Sequence, residues 1–336
     1  MRVAEFFLLS FLVAAGAAAQ QQSGLPGLKQ TGVMQPSGKP GELRVLDWAG
    51  LRSAVTYTFD DALASQLSNY PRLHATGVRM TFFLTTNHSL SPDWAQVFQD
   101  GNEAGNHTAH HCRADGTSCG WGSYAGSLEA EYDQCNEFLK KNLAVSEVLT
   151  TASPYGDTGY DETAKTRFVL NRGVWGGFIA PNDHTDPYNL LAHGIVAGEK
   201  AAAMNAQIDG AHSQGSWVIL LYHSLGGDGG YAPVDVEDVL ASIRHAQSLG
   251  DVWIDSMVNV GTYWLGQKAV TDAMVKRQGE ETVLIWTLPE HFPPNRWVRV
   301  TVSGGVLRQN GKVLPWNSAG YYEVALDPGR LTISAK

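Results

Sequence analysis

The sequence predicts an α/β protein built on a parallel sheet and followed by a small all-β unit. Three observations carry this. Between residues 44 and about 267, short β-branched or aromatic runs alternate with longer segments of helical period. No hairpin signals separate those runs, so successive strands pair in parallel through crossovers. Beyond about residue 270 the pattern changes to alternating strands broken by Gly, Pro and Asn310-Gly311.

Taken in order, the chain opens with MRVAEFFLLSFLVAAGAAAQ: Arg2, an apolar stretch over 6–15, then Ala17-Ala18-Ala19. Residues 1–19 read as a secretory signal peptide, because the apolar stretch falls short of the roughly 20 residues of a spanning helix. The expectation is export, to the periplasm or the extracellular space, with no membrane span. Residues 20–43, rich in Gly, Pro, Gln and Ser, read as a flexible leader.

The α/β unit is assigned to 44–267. Strands are expected at "AVTYTF", "RMTFFLTT", "EVLTTASPY", "GVWGGFIA", "SWVILLYH" and "DVWID". Helices are expected near 62–76, 91–100, 127–142, 199–213, 234–249 and 256–266. Strands this apolar are covered on both faces. A barrel and an open doubly wound sheet both fit the order, and in either one chemistry collects at the carboxyl ends of the strands. Asp60 and Asp61, Pro154 and Tyr155, and His223 each follow a strand, so one rim should gather them. The final unit spans 270–336. Its Trp286, Trp297, Trp316, Tyr321 and Tyr322 are expected mainly to pack rather than to stack on sugars.

Composition excludes some partners. A net charge of −9, from 33 acidic and 24 basic side chains with no basic run, offers no footprint for nucleic acid or an anionic membrane. No glycine-rich phosphate loop follows the first strand, which argues against a dinucleotide enzyme. Of three cysteines, Cys112 and Cys119 are the favoured pair, with Cys135 open as an alternative partner.

"TYTFDDALASQ", residues 56–66, ends a buried strand on two adjacent carboxylates, whose repulsion demands a partner. "GNHTAHHC" supplies His107 and His111, four apart, a spacing that on a helical turn puts two imidazoles on one face. Two histidines and a strand-end carboxylate make a three-ligand site with open positions. A divalent cation would neutralise one carboxylate and leave the other to act as a base. The alternative is structural: Asp60 buried and hydrogen-bonded, Asp61 capping the helix that follows. In "HSLGGDGGYAPV", residues 223–234, a Gly-rich loop carries Tyr231, a candidate substrate contact; Trp175 is expected in the core.

These motifs resemble the polysaccharide deacetylases of carbohydrate esterase family 4. The family's T-F-D-D is Thr58-Phe59-Asp60-Asp61; its H-[S/T]-x-x-H is His107-Thr108-Ala109-His110-His111; its R-x-P-Y is present in part as Ala152-Ser153-Pro154-Tyr155; its L-x-x-H-D is Leu220-Leu221-Tyr222-His223-Ser224. "DVWIDSMVNVGTYW" is similar to its closing strand and helix. The resemblance covers about residues 50–267 and implies a distorted (β/α) barrel. It implies Asp60 as general base, Asp61, His107 and His111 as metal ligands, and His223 as general acid. It also implies the backbone N–H of Tyr155 as an oxyanion donor. The ion would be zinc, cobalt or nickel, the substrate an acetylated glycan, and the products acetate and a free amine or hydroxyl. His110 would pack or support a ligand.

Three departures set this chain apart: Ala152 replaces the family's Arg, Ser224 replaces its Asp, and Ala62 replaces its Gly. Asp183 or Asp186 is the candidate for a further charged partner. A retired scaffold that only binds carbohydrate is the competing reading.

Overall fold

A computed structural model describes residues 23–88 and 90–336; the proposed signal peptide lies outside the described residues. Among these, β1 (Leu43–Val45) precedes the parallel strands β2 (Ser53–Asp60), β3 (Thr81–Leu84), β4 (Glu103–Asn106), β5 (Thr150–Ala152), β6 (Leu170–Arg172), β7 (His193–Gly194), β8 (Trp217–Tyr222) and β9 (Val252–Ile254). The sheet order is β6-β5-β4-β3-β2-β8-β7, with β9 paired to the start of β2. Leu190 bridges to Arg172 of β6, and His193 pairs with Leu220 of β8. The sheet therefore curls back toward its first strand as a distorted barrel, and the expected α/β architecture is borne out.

Period-two alternation splits β2 between two cores. Val55, Tyr57 and Phe59 pack outward against α1 (Ala64–His74), α2 (Trp94–Gln99), α3 (Leu128–Asn142), α5 (Ala201–Gln214) and α6 (Val236–Leu249). Ala54 belongs to the inner core with Phe83, Ala152, Leu170 and Ile219. That core is plugged by α7 (Met257–Thr271), which follows α4 (Asp161–Lys165) and the helices above in the chain. Helix α7 fits because Gly261 has no side chain: a Cβ there would lie 2.3 Å from the Leu170 side chain.

The inner core runs on into the last unit through Trp264, Val298, Leu326 and Ile333. That unit is antiparallel. Strands β10 (Met274–Gln278), β11 (Glu281–Ile285), β13 (Val306–Gln309), β14 (Lys312–Val313) and β16 (Arg330–Ser334) form one sheet, while β12 (Trp297–Val302) and β15 (Tyr322–Ala325) join β1 in the other. Trp286, Tyr321 and Tyr322 are buried. The segment before β1 runs along this unit, with Val33 donating to the Ser318 carbonyl and Gly41 to that of Gly304.

Local readings fail in two places. The strand expected at 173–180 lies upstream as β6, because Gly176 and Gly177 take left-handed φ values and only Ile179 makes a bridge, to Trp217. Trp175, expected in the core, is 67% exposed on that turn. Strand β4, "EAGN", has almost no β-propensity and is held by its neighbours β3 and β5.

Candidate active site

Asp60 ends β2 on the inner face and Asp61 begins the turn beyond it. Asp61 (φ 74°) and Ala62 (φ 56°) are both left-handed, so helix α1 starts only at Ala64. Asp61 therefore does not cap α1. Asp228 serves that helix end instead, accepting from the Ser65 N–H at 2.8 Å.

His107 follows β4, and the segment to His111 is a loop rather than the helical turn the spacing suggested: Thr108 (φ 64°) and His111 (φ 51°) are left-handed. Non-glycine residues in this region carry strain that the surroundings must hold. Here the Thr108 hydroxyl accepts from the His111 N–H at 2.9 Å, and Asn106 Oδ1 accepts from the Thr108 N–H at 2.7 Å. His110 points away, its ring 2.9 Å from the buried Glu131 carboxylate. A Cys112–Cys119 disulfide closes the next loop, leaving Cys135 buried and free.

The structure brings Asp61, His107 and His111 together: one ligand atom from each lies within 4.8 Å of the others. Asp61 Oδ1 is 3.5 Å from Nε2 of both histidines. His107 Nδ1 is 2.8 Å from the Ala152 carbonyl, an acceptor, so Nδ1 carries the proton and the Nε2 lone pair faces Asp61. Asp61 Oδ1 is buried and has no hydrogen-bond partner among the described residues. Two imidazole nitrogens and an orphaned carboxylate oxygen fit a divalent transition ion.

Electrostatics agree. Burial works to raise the pKa of Asp61, but the imidazoles of His107, His111 and His223 outweigh it and hold it at about 2. Burial and the neighbouring His107 push His111 down to about 4, which keeps it neutral at pH 7. Burial opposes a proton on His107, yet the charges of Asp60 and Asp61 raise its pKa.

Asp60 has a partner that the sequence reading missed. Arg172, fully buried at the end of β6, donates from its guanidinium to Asp60 Oδ2 at 2.5 Å and lies over the Phe83 ring. Residue 152, where the resemblance expects an Arg, is paired in register with Arg172 across β5 and β6. From the strand next to that position, Arg172 reaches the Asp60 carboxylate. Asp183 and Asp186, the proposed charged partners, are instead occupied with local turns, accepting from the N–H groups of Ala180 and Thr185 and of Tyr188.

His223 follows β8 and places Nε2 3.9 Å from Asp60 Oδ2. Its Nδ1 is buried without a partner, because Ser224 turns to Asp228. Burial lowers its pKa more than Asp60 and Asp61 raise it. Tyr155 is left-handed (φ 60°), its ring against His111 and its hydroxyl donating to the Ser118 carbonyl at 2.7 Å.

Residues 50–170 match the polysaccharide deacetylase family. Over that span the chain is similar to the members of this family. No curated protein matches the chain. Among solved structures, it is similar to the family 4 carbohydrate esterase domain of a multidomain xylanase from the hindgut metagenome of Trinervitermes trinervoides. That match has 18% identity and a TM-score of 0.43, over 62% of this chain and 88% of that one. A family 4 acetyl xylan esterase from Clostridium thermocellum, in complex with a cobalt ion, is 16% identical with a TM-score of 0.44, over 62% and 90%. The catalytic domain of a peptidoglycan N-acetylglucosamine deacetylase from Eubacterium rectale is 16% identical with a TM-score of 0.41, over 63% and 91%.

Proposed function

We propose that this chain is a polysaccharide deacetylase family member, an exported, metal-dependent hydrolase that removes acetyl groups from a carbohydrate. N-acetyl groups are favoured over O-acetyl groups. The convergence of Asp61, His107 and His111 beside an arginine-held Asp60 carries the reading. Those three residues would hold the ion, zinc by preference with cobalt or nickel as alternatives. A divalent ion there supplies Lewis acidity to the acetyl carbonyl and makes water more acidic.

The chain's own groups do the rest. Arg172 fixes Asp60 through Oδ2, and Oδ1, which has no protein partner, takes a proton from the attacking water. The Tyr155 N–H steadies the developing oxyanion. His223, on the other side of Asp60, returns a proton to the departing amine or hydroxyl as the C–N or C–O bond breaks.

The test is acetate release from chitin oligomers, peptidoglycan and acetylated xylan, with chelation and zinc restoration. Release should stop with chelator, return with zinc, and be lost in Asp60→Asn, which retains the metal. Protein that takes up no divalent ion would overturn the reading. Recovery outside the cytoplasm, starting near Gln20, tests export. One observation favours a carbohydrate-binding protein on the same scaffold: among the described residues, His223 Nδ1 has no hydrogen-bond partner. A binder would show glycan affinity unchanged by Asp60→Asn and release no acetate.

A further inference from the structure

The β2–β8 ladder, whose last register pair is Phe59 with Tyr222, stops one residue short of the site. Asp60 and His223 come next on the two paths, and their side chains face each other, with His223 Nε2 3.9 Å from Asp60 Oδ2. Directly beyond, Asp61 turns out of the strand with a φ of 74°. With the ladder ended, something else must hold the two backbones at a fixed spacing. That spacing matters, because a displacement of about 1 Å costs a reacting pair on the order of a hundredfold in rate.

Gln66, in the first turn of α1, spans the gap. Its Nε2 donates to the Asp60 carbonyl at 2.6 Å and to the His223 carbonyl at 2.9 Å. A side-chain amide nitrogen carries one hydrogen for each of these carbonyls, and carbonyls only accept, so the amide is oriented by its partners. The side chain is fully buried, and its Oε1 has no hydrogen-bond partner among the described residues. The fold tolerates an unpaired acceptor in order to bring a pair of donors to this place. Space filling alone would not require it.

The neighbouring residue has a different task. The Ser65 hydroxyl accepts from the Leu225 N–H at 2.8 Å, and the Ser65 N–H donates to Asp228, which also receives the Ser224 hydroxyl and the Gly230 N–H. Those bonds pin the loop that follows His223. Gln66 pins the backbones of Asp60 and His223 themselves.

We propose that Gln66 is a positioning residue: through one side-chain amide it fixes the separation of Asp60 and His223 across the point where the β2–β8 ladder ends. The proposal rests on the deacetylase reading, which makes Asp60 the base and His223 the acid.

The experiment compares wild type with Gln66→Met, which keeps the length of the side chain and loses both donors. Gln66→Asn keeps the donors on a side chain one methylene shorter, and carries the comparison if Gln66→Met does not fold. Acetate release is measured per zinc bound. In Gln66→Met, kcat should fall about tenfold to a hundredfold, with KM within about twofold of wild type and zinc stoichiometry unchanged; Gln66→Asn should show a smaller fall. A readout free of turnover is the His223 ring resonance in the proton–carbon NMR spectrum of protein held in zinc, assigned with His223→Gln. It should shift in both Gln66 variants while the His107 and His111 resonances stay in place. An unchanged rate per zinc, or an unmoved His223 resonance, would overturn the proposal and leave the deacetylase reading standing. A rate lost only in step with zinc content would make Gln66 merely structural and overturn the proposal as well. Wild type that releases no acetate from any acetylated sugar would overturn the deacetylase reading. A His223 resonance that still moves would then keep Gln66 as the tie between the two strand ends, and one that stays would overturn both.

Discussion

At the amino ends of β3, β4 and β5, Glu103 has both carboxylate oxygens satisfied by hydrogen bonds. Its Oε1 accepts from Thr150, and its Oε2 from the Thr81 hydroxyl and the Val258 N–H, both at 2.8 Å. At the carboxyl ends of the same sheet, Asp60 Oδ1, Asp61 Oδ1 and His223 Nδ1 are buried with no such closure. Burying a polar atom without a partner costs roughly 1–3 kcal/mol, and at the carboxyl ends the fold bears that cost on three ionisable groups that lie together. The difference separates a lock that joins three strands and α7 from a site shaped for something that must arrive.

Removing a ligand should give the largest effect and separate the two ends most sharply. His107→Ala or Asp61→Asn should abolish stoichiometric zinc uptake, measured by elemental analysis, and cut acetate release by roughly a thousandfold. Asp61→Asn without metal should melt within a few degrees of wild type, because no described residue hydrogen-bonds to Asp61 Oδ1. A mutant that binds zinc at full stoichiometry would show that the ion sits elsewhere.

Arg172 comes next, because it belongs to both kinds of chemistry: a stabilising ion pair and a positioner of the base. Arg172→Met leaves Asp60 buried without its guanidinium partner, with an expected loss of about 3–5 kcal/mol in denaturant unfolding and little residual turnover. A sharper version moves the charge back. Ala152 and Arg172 are register partners on the inner face, so Ala152→Arg in the Arg172→Met background should recover part of both losses. No recovery of either would mean that Arg172 does more than serve Asp60.

At the closed end, Glu103→Ala should cost about 2–3 kcal/mol by orphaning two hydroxyls and an N–H, while zinc content and turnover of the folded protein stay intact. Glu103→Gln should cost much less. A loss of metal in either variant would tie the two ends together.

Much of this was legible in the sequence. The alternation of strands and helices, the final β unit, and the motifs around Asp60, His107 and His223 all announce themselves through local pattern. Arg172 did not, and the reason is physical. Its strand is three residues long and its partners are brought by the sheet rather than the chain, while the adjacent "GVWGGFIA" reads as a better strand than it is. Leu170 and Arg172 share a face at period two, and that spacing was the one available signal. The loop from His107 to His111 was misread for a related reason: a spacing of four fits a helical turn, but two left-handed residues can bring the rings together as well.

The smallest effect concerns a third acid, Asp161, near the carboxyl ends of β5 and β6, where Asn171 Nδ2 donates to it at 3.2 Å. Burial, helped by Asp186, raises its pKa to about 6. The folded protein therefore holds this proton more tightly than the unfolded chain, whose carboxyl titrates near 3.8. Its contribution is full below pH 4 and is lost as pH rises through about 6. Asp161→Asn keeps the acceptor oxygen and removes the charge. The group is partly solvated, so the gain is limited to about 1 kcal/mol: a melting temperature raised by a few degrees at pH 7.5 and unchanged at pH 4. An equal gain at both values would place the effect in packing rather than in the proton, and would make Asp161 a structural residue like Glu103.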